Sequence, residues 1–129
     1  MRNSLAIVLG LALVASLTTA ALGQEPSTGA CFFINQFQSW RAPDSETIFI
    51  RVAGERYFRL DMGGTCPELK WPDVHLVTKT RGANTVCSAV DWDLRVSTGL
   101  AGTSHPCIVK TVTVLSPAEV AAIPRKFKP

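Results

Sequence analysis

Apolar and polar positions alternate most sharply over residues 47–62, TIFIRVAGERYFRLDM, and this stretch sets the frame for the rest of the chain. Successive strand side chains point to opposite faces, so a slip of one residue exchanges the faces. A two-residue loop at Gly54-Glu55 would set Val52 opposite Tyr57, Ile50 opposite Arg59 and Ile48 opposite Asp61, an apolar face broken by charge. A three-residue loop over residues 54–56 sets Val52 opposite Phe58, Ile50 opposite Leu60 and Ile48 opposite Met62. Arg51, Arg59 and Asp61 then share the other face. The pattern predicts a hairpin with the longer loop. Such loops favour a left-handed residue in last place, where Arg56 sits, so a bulge is expected beside the turn.

Other segments are read the same way. Residues 31–40, CFFINQFQSW, are aromatic-rich and alternate imperfectly, as a first strand ending at the turn-forming residues 41–45. Gly63-Gly64 closes the hairpin, and a single helical or 3₁₀ turn is expected over residues 65–71, placing Leu69 or Trp71 as a lid on one end of the sheet. Strands are predicted at residues 74–80 and 85–89. In the next strand Trp92, Leu94 and Val96 alternate with Asp91, Asp93 and Arg95. Residues 97–106, STGLAGTSHP, read as a flexible loop, and residues 107–115, CIVKTVTVL, as a strand dominated by β-branched side chains. A helix start follows. Ser116 can cap, Pro117 suits the first position, Glu119 can bond back to the cap, and Leu115 can staple against Val120, while Pro124 limits the helix to about two turns. The expected fold is all-β: a small five- to six-stranded antiparallel barrel or sandwich with a short C-terminal helix and two disulfides.

The N-terminus changes the picture. Arg2, an apolar run from Leu5 to Ala15, and Ala21-Leu22-Gly23 before Gln24 match a secretory signal peptide over residues 1–23. Ser16, Thr18 and Thr19 interrupt the apolar run short of the roughly 20 residues that a membrane span needs, so no stable span is expected in the mature chain. Residues 24–30 read as a flexible lead-in, residues 31–124 as one stapled β domain, and residues 125–129 as a solvated basic tail. The expected location is the periplasm or the exterior. Of 13 basic and 10 acidic residues only Arg2 lies in the leader, and the charges are spread along the chain. That balance argues against nucleic acid as a partner.

Cys31, Cys66, Cys87 and Cys107 all survive signal removal, and an even number in an exported small domain points to two disulfides. Three connectivities are open. The preferred one is nested, Cys31 with Cys107 and Cys66 with Cys87, tying the first strand to the last and closing a shorter inner loop. No Cys-x-x-Cys occurs, so a thiol oxidoreductase or zinc ribbon lacks its usual signature, and no cofactor is expected.

Taken together, Cys31, Tyr57, Cys66-Pro67-Glu68-Leu69, Cys87, Cys107-Ile108-Val109 and the run from Leu115 to Val120 resemble a family of small exported proteobacterial proteins, domain of unknown function 6491. The resemblance spans nearly all of the mature chain. It implies export and a shared small β fold, and brings no catalytic residues.

Candidate chemistry is sparse. A hydrolytic or metal site would have to use Asp91, Asp93, His75 and His105, with the two carboxylates on one strand face. The alternative is that both carboxylates are the solvent side of the Trp92 strand and both histidines lie at edges or in loops. No Gly-x-Ser-x-Gly supports a serine nucleophile at Ser104. Trp40, Trp71, Trp92 and Tyr57 either pack in the core and its rim or line a groove. Phe49, Arg51, Tyr57 and Arg59 share the charged face of the hairpin, an aromatic and arginine surface of the kind enriched at protein interfaces, unless a second sheet covers it. The leading functional expectation is a non-enzymatic binding or envelope-associated protein, whose partner is a protein or an envelope ligand. The alternatives are an inhibitor of an exported or foreign hydrolase that presents the loop 97–106, and a small envelope hydrolase.

Overall fold

The computed structural model describes residues 31–99 and 103–129. The expected leader and lead-in lie outside the described residues, as does the centre of the 97–106 loop. The chain forms β1 (Phe32–Phe33), β2 (Phe37–Arg41), β3 (Thr47–Val52), β4 (Arg56–Met62), β5 (Val74–Thr80), β6 (Thr85–Val86), β7 (Trp92–Thr98), β8 (Ser104–Pro106), β9 (Val109–Val114) and α1 (Pro117–Ala122). The fold is all-β with two disulfides and a short C-terminal helix. Six of the strands have five residues or more; β1, β6 and β8 are short ladders. Strand order is β2-β3-β4-β9 in one antiparallel sheet, β5-β7-β8 in a second and β1-β6 in a third.

The hairpin keeps its expected faces in a different register. Val52 pairs with Arg56, Ile50 with Phe58 and Ile48 with Leu60, so the loop is Ala53-Gly54-Glu55. Its length is the expected three residues, moved one position towards the N-terminus, and each cross-strand partner therefore moves by two. A shift of two leaves the faces unchanged. Gly54 and Glu55 both adopt positive φ, 79° and 56°, so the left-handed residue that such a loop needs in last place is Glu55. Arg56 becomes the first strand residue.

Ile48, Ile50, Val52, Phe58 and Leu60 are fully buried on the inner face and meet Trp92, Leu94 and Val96 from β7 in one core. Phe32 of β1 fills the space between, its ring 4.8 Å from Phe58 and 5.7 Å from Trp92. The expected first strand is therefore two strands separated by a 3₁₀ turn, Ile34–Gln36, in which Gln36 Oε1 accepts the Phe33 N–H. This break lets the aromatic segment serve two sheets. A second handover occurs at residues 104–114, where β8 pairs with β7 and β9 pairs with β4, while the Cys107 N–H donates to Leu94 O at 3.0 Å. Of the expected 97–106 loop, residues 97–98 and 104–106 are thus strand, with Ser97 paired to Ser104. Likewise residues 85–89 contribute only two strand residues before the 3₁₀ turn Ala89–Asp91. The 3₁₀ turn Pro67–Lys70 buries Leu69 as the lid and leaves Trp71 half exposed.

Topology also fixes the disulfides, which are Cys31–Cys87 and Cys66–Cys107, replacing the nested pairing. Phe32 pairs with Val86 and Phe33 with Thr85, so the same register carried one step further sets Cys31 opposite Cys87. The last strand pairs with β4 and not with the first strand. The chain just after β4 and just before β9 consequently runs side by side, with the Gly63 N–H donating to Ile108 O, and this brings Cys66 to Cys107. Two disulfides are compatible with an oxidising, extracytoplasmic compartment. No helix among the described residues is long and apolar enough to cross a membrane.

Candidate functional site

The outer face of the β3–β4 hairpin gathers the residues that the sequence marked. Phe49 lies opposite Arg59, and Arg51 opposite Tyr57. The helix and the tail lie against this face rather than a second sheet. Helix α1 starts as expected: the Ser116 N–H donates to Glu119 Oε2 at 2.7 Å, and Glu119 N–H returns a 3.3 Å bond to Ser116 Oγ. Those bonds hold the Glu119 carboxyl below the usual carboxylate range, backbone donation being the main cause. Ile123, just past the helix, is buried outside the main core, as is Tyr57. On one side of the helix a cavity of about 370 Å³ is bounded by Phe49, Arg59 and Asp61 from the sheet and by Glu119, Ile123 and Pro124. On the other a cavity of about 300 Å³ is bounded by Tyr57, Leu115, Val120 and Lys128, with the Lys128 ammonium 5.9 Å from the Tyr57 ring centre. Within residues 125–129 the basic side chains of Arg125, Lys126 and Lys128 are exposed, Arg125–Phe127 form a 3₁₀ turn, and Lys128 sits against Tyr57.

Charges on this face are mutually engaged. Arg59 Nε donates to Asp61 Oδ1 at 2.8 Å, and Thr111 Oγ1 donates to Asp61 Oδ2 at 3.0 Å. Arg51 reaches Gln38 Oε1 at 3.0 Å and Glu55 Oε1 at 3.4 Å. Of the four marked residues Tyr57 is buried, Phe49 and Arg51 are half-buried, and Arg59 is exposed.

Asp91, Asp93 and the histidines are not assembled. Asp91 closes the 3₁₀ turn ahead of β7 and so does not share a strand face with Asp93. Its Oδ2 accepts the N–H groups of Cys87 and Ser88, at 3.0 and 2.8 Å, and the Ser88 hydroxyl. These bonds, the one from Cys87 foremost, hold its carboxyl below the ordinary aspartate value. Asp93 stands opposite Lys79 and 3.8 Å from Arg81. His75, exposed on β5, lies opposite Ser97, four residues from Lys79, roughly 13 Å along the strand. His105 stands beside neither aspartate but 3.9 Å from Glu68, and Ser104 Oγ accepts from Arg95 Nε. Trp92 is core, whereas Trp71 is exposed, so the tryptophans line no common groove. Glu68 is the residue that the sequence reading passed over. Its signal was present in the mirrored tripeptides Cys66-Pro67-Glu68 and His105-Pro106-Cys107.

Comparison of the chain with protein-family models, with curated proteins and with solved structures finds no match.

Proposed function

We propose that this chain is an exported binding protein of the periplasm or cell exterior, which engages a protein or envelope-bound partner through the outer face of the β3–β4 hairpin. The observation that carries this reading is the convergence of Phe49, Arg59 and Tyr57 with α1 and Lys128 into two clefts flanking a short helix. Half-buried Phe49 and exposed Arg59, on a rigid sheet backed by buried Tyr57, give contact area with little side-chain entropy to lose, residue types enriched at protein interfaces. The signal-like residues 1–23 and the two disulfides support export, and the order of the four cysteines supports kinship with the small exported family named above.

The test has two arms. Mass analysis of the purified chain is expected to find an N-terminus close to Gln24, and an intact leader would remove export. Tagged mature protein is then used for capture from the periplasm, beside Arg59→Glu and Phe49→Ala. A partner retained by the wild type and lost by both variants, at unchanged melting temperature, is the expected result. Equal capture by all three would move the binding surface elsewhere.

A further inference from the structure

The surroundings of Cys66–Cys107 hold more ligating chemistry than a structural crosslink needs. Cys66-Pro67-Glu68 and His105-Pro106-Cys107 approach one another as two arms, each carrying a cysteine and one further ligand type two residues away. Both cysteine sulfurs and a Glu68 carboxylate oxygen lie within 4.8 Å of one another, with Glu68 Oε2 3.6 Å from Cys66 Sγ. The other oxygen, Glu68 Oε1, lies 3.9 Å from His105 Nδ1. The Glu68 side chain is only 17% exposed, and the imidazole is the only cationic or N–H partner that the described residues offer it. A half-buried carboxylate set between sulfur and imidazole places three ligand types on one spot, the donor set that a thiophilic cation takes.

We propose that the Cys66–Cys107 disulfide is the oxidised, metal-free form of a site for a thiophilic divalent cation of the zinc type, bound after reduction by Cys66, Cys107, Glu68 and His105. Zinc takes tetrahedral sulfur, nitrogen and oxygen ligands at about 2.0–2.3 Å, which sets ligand atoms roughly 3.3–3.8 Å apart. Glu68 already lies near that range from Cys66 Sγ, at 3.6 Å, and from His105 Nδ1, at 3.9 Å, while the two bonded sulfurs must part and His105, outside the 4.8 Å group of the other three, must swing in. A Cα separation of 5.8 Å leaves room for the sulfurs to part around an ion. Neither arm depends on the disulfide for its backbone position, since the Cys66 N–H donates to Ser45 O at 2.7 Å and the Cys107 N–H to Leu94 O. A cavity of about 160 Å³, bounded by Gly63, Gly64, Thr65 and Ile108, adjoins both cysteines and gives an ion a way in. The chemistry balances with a dithiol as reductant: two electrons and two protons cleave the S–S bond to two thiols while the dithiol closes to its own disulfide. Metal binding then displaces both thiol protons, leaving two thiolates, a carboxylate and a neutral imidazole around the ion. Run in reverse, with the dithiol's own disulfide as the two-electron oxidant, thiol–disulfide exchange closes Cys66–Cys107, returns the dithiol and expels the ion, so the site is gated by redox state.

The full mature chain is reduced with a dithiol, freed of reductant without oxygen, and titrated with Zn²⁺ against a chromogenic chelator, then with Co²⁺ read by its absorption. The expected result is one equivalent of Zn²⁺ per reduced chain, none for the oxidised chain, and a tetrahedral, thiolate-bearing Co²⁺ spectrum. Glu68→Gln and His105→Ala keep both disulfides, so their folding is checked before reduction. Each is expected to raise the Zn²⁺ dissociation constant at least about tenfold, whereas Cys31→Ser/Cys87→Ser leaves it unchanged. Wild-type affinity in Glu68→Gln and His105→Ala, a Co²⁺ spectrum without thiolate bands, or reduced protein that takes up less than one equivalent, whether folded or not, overturns the proposal.

Discussion

The two disulfides close loops of similar span, 56 and 41 residues, yet sit in opposite settings. Cys31 and Cys87 are exposed and extend a two-residue ladder at the surface, where the nearby carboxylate, Asp91, is consumed by backbone donors. Cys66 and Cys107 are 3% exposed, belong to the core, and have Glu68 and His105 beside them. In the chain-entropy picture the loops contribute about 4 kcal/mol each, so entropy alone would make them equivalents. Burial separates them: one crosslink ties a surface ladder whose strength lies in what Phe32 packs against, and the other is part of the packing itself.

Removing each bridge in turn tests that division most severely. Cys66→Ser/Cys107→Ser loses about 4 kcal/mol of loop constraint and also buries two hydroxyls, each costing roughly 1–3 kcal/mol if unpaired. Cys31→Ser/Cys87→Ser loses the constraint alone, because its hydroxyls remain in water. Unfolding free energies from urea titration of the two double variants are expected to differ by several kcal/mol, the buried pair being the weaker protein, and equal values would erase the distinction. Partial reduction followed by alkylation and peptide mass mapping is expected to open Cys31–Cys87 first, since its half-cystines are accessible.

Phe32→Ala asks what the surface bridge is for. Phe32 touches Phe58 and Trp92, and truncating a buried phenylalanine costs about 3–5 kcal/mol. A loss of that size with the bridge intact would show that the crosslink holds an anchor already seated. A loss below about 1 kcal/mol would mean that the bridge carries β1 by itself.

The smallest expected effect concerns pH. Asp91 has a folded-state pKa below its unfolded value, so its contribution is present above the unfolded pKa and is lost as pH falls through the folded one. The window lies below about pH 4. Asp91→Asn is expected to flatten the acid limb of the stability profile slightly and to speed reduction of neighbouring Cys31–Cys87, while leaving Cys66–Cys107 untouched. An acid limb identical to that of the wild type would show that the three hydrogen bonds at Asp91 are not felt in solution.

How much of this could be read in advance depends on the range of the interactions. Period-two alternation fixed the inner face of the hairpin and of β7, because side-chain direction in a strand is a local property. The start of α1 was equally legible, since Ser116, Pro117 and Glu119 carry their geometry within four residues. The hairpin register was out by two because parity is all that alternation can report, and the choice among loops of equal parity fell to Glu55 adopting positive φ. Pairing of β9 with β4 joins segments about fifty residues apart, and nothing in either strand names its partner. That one topological choice decided the Cys66–Cys107 bond, drew Glu68 to His105 while leaving Asp91, Asp93 and His75 apart, and allowed α1 to lie beside Phe49 and Arg59. Sequence determined which residues face inward, because burial follows from local periodicity. Tertiary structure decided which distant residues meet, because that depends on how the sheets share one core.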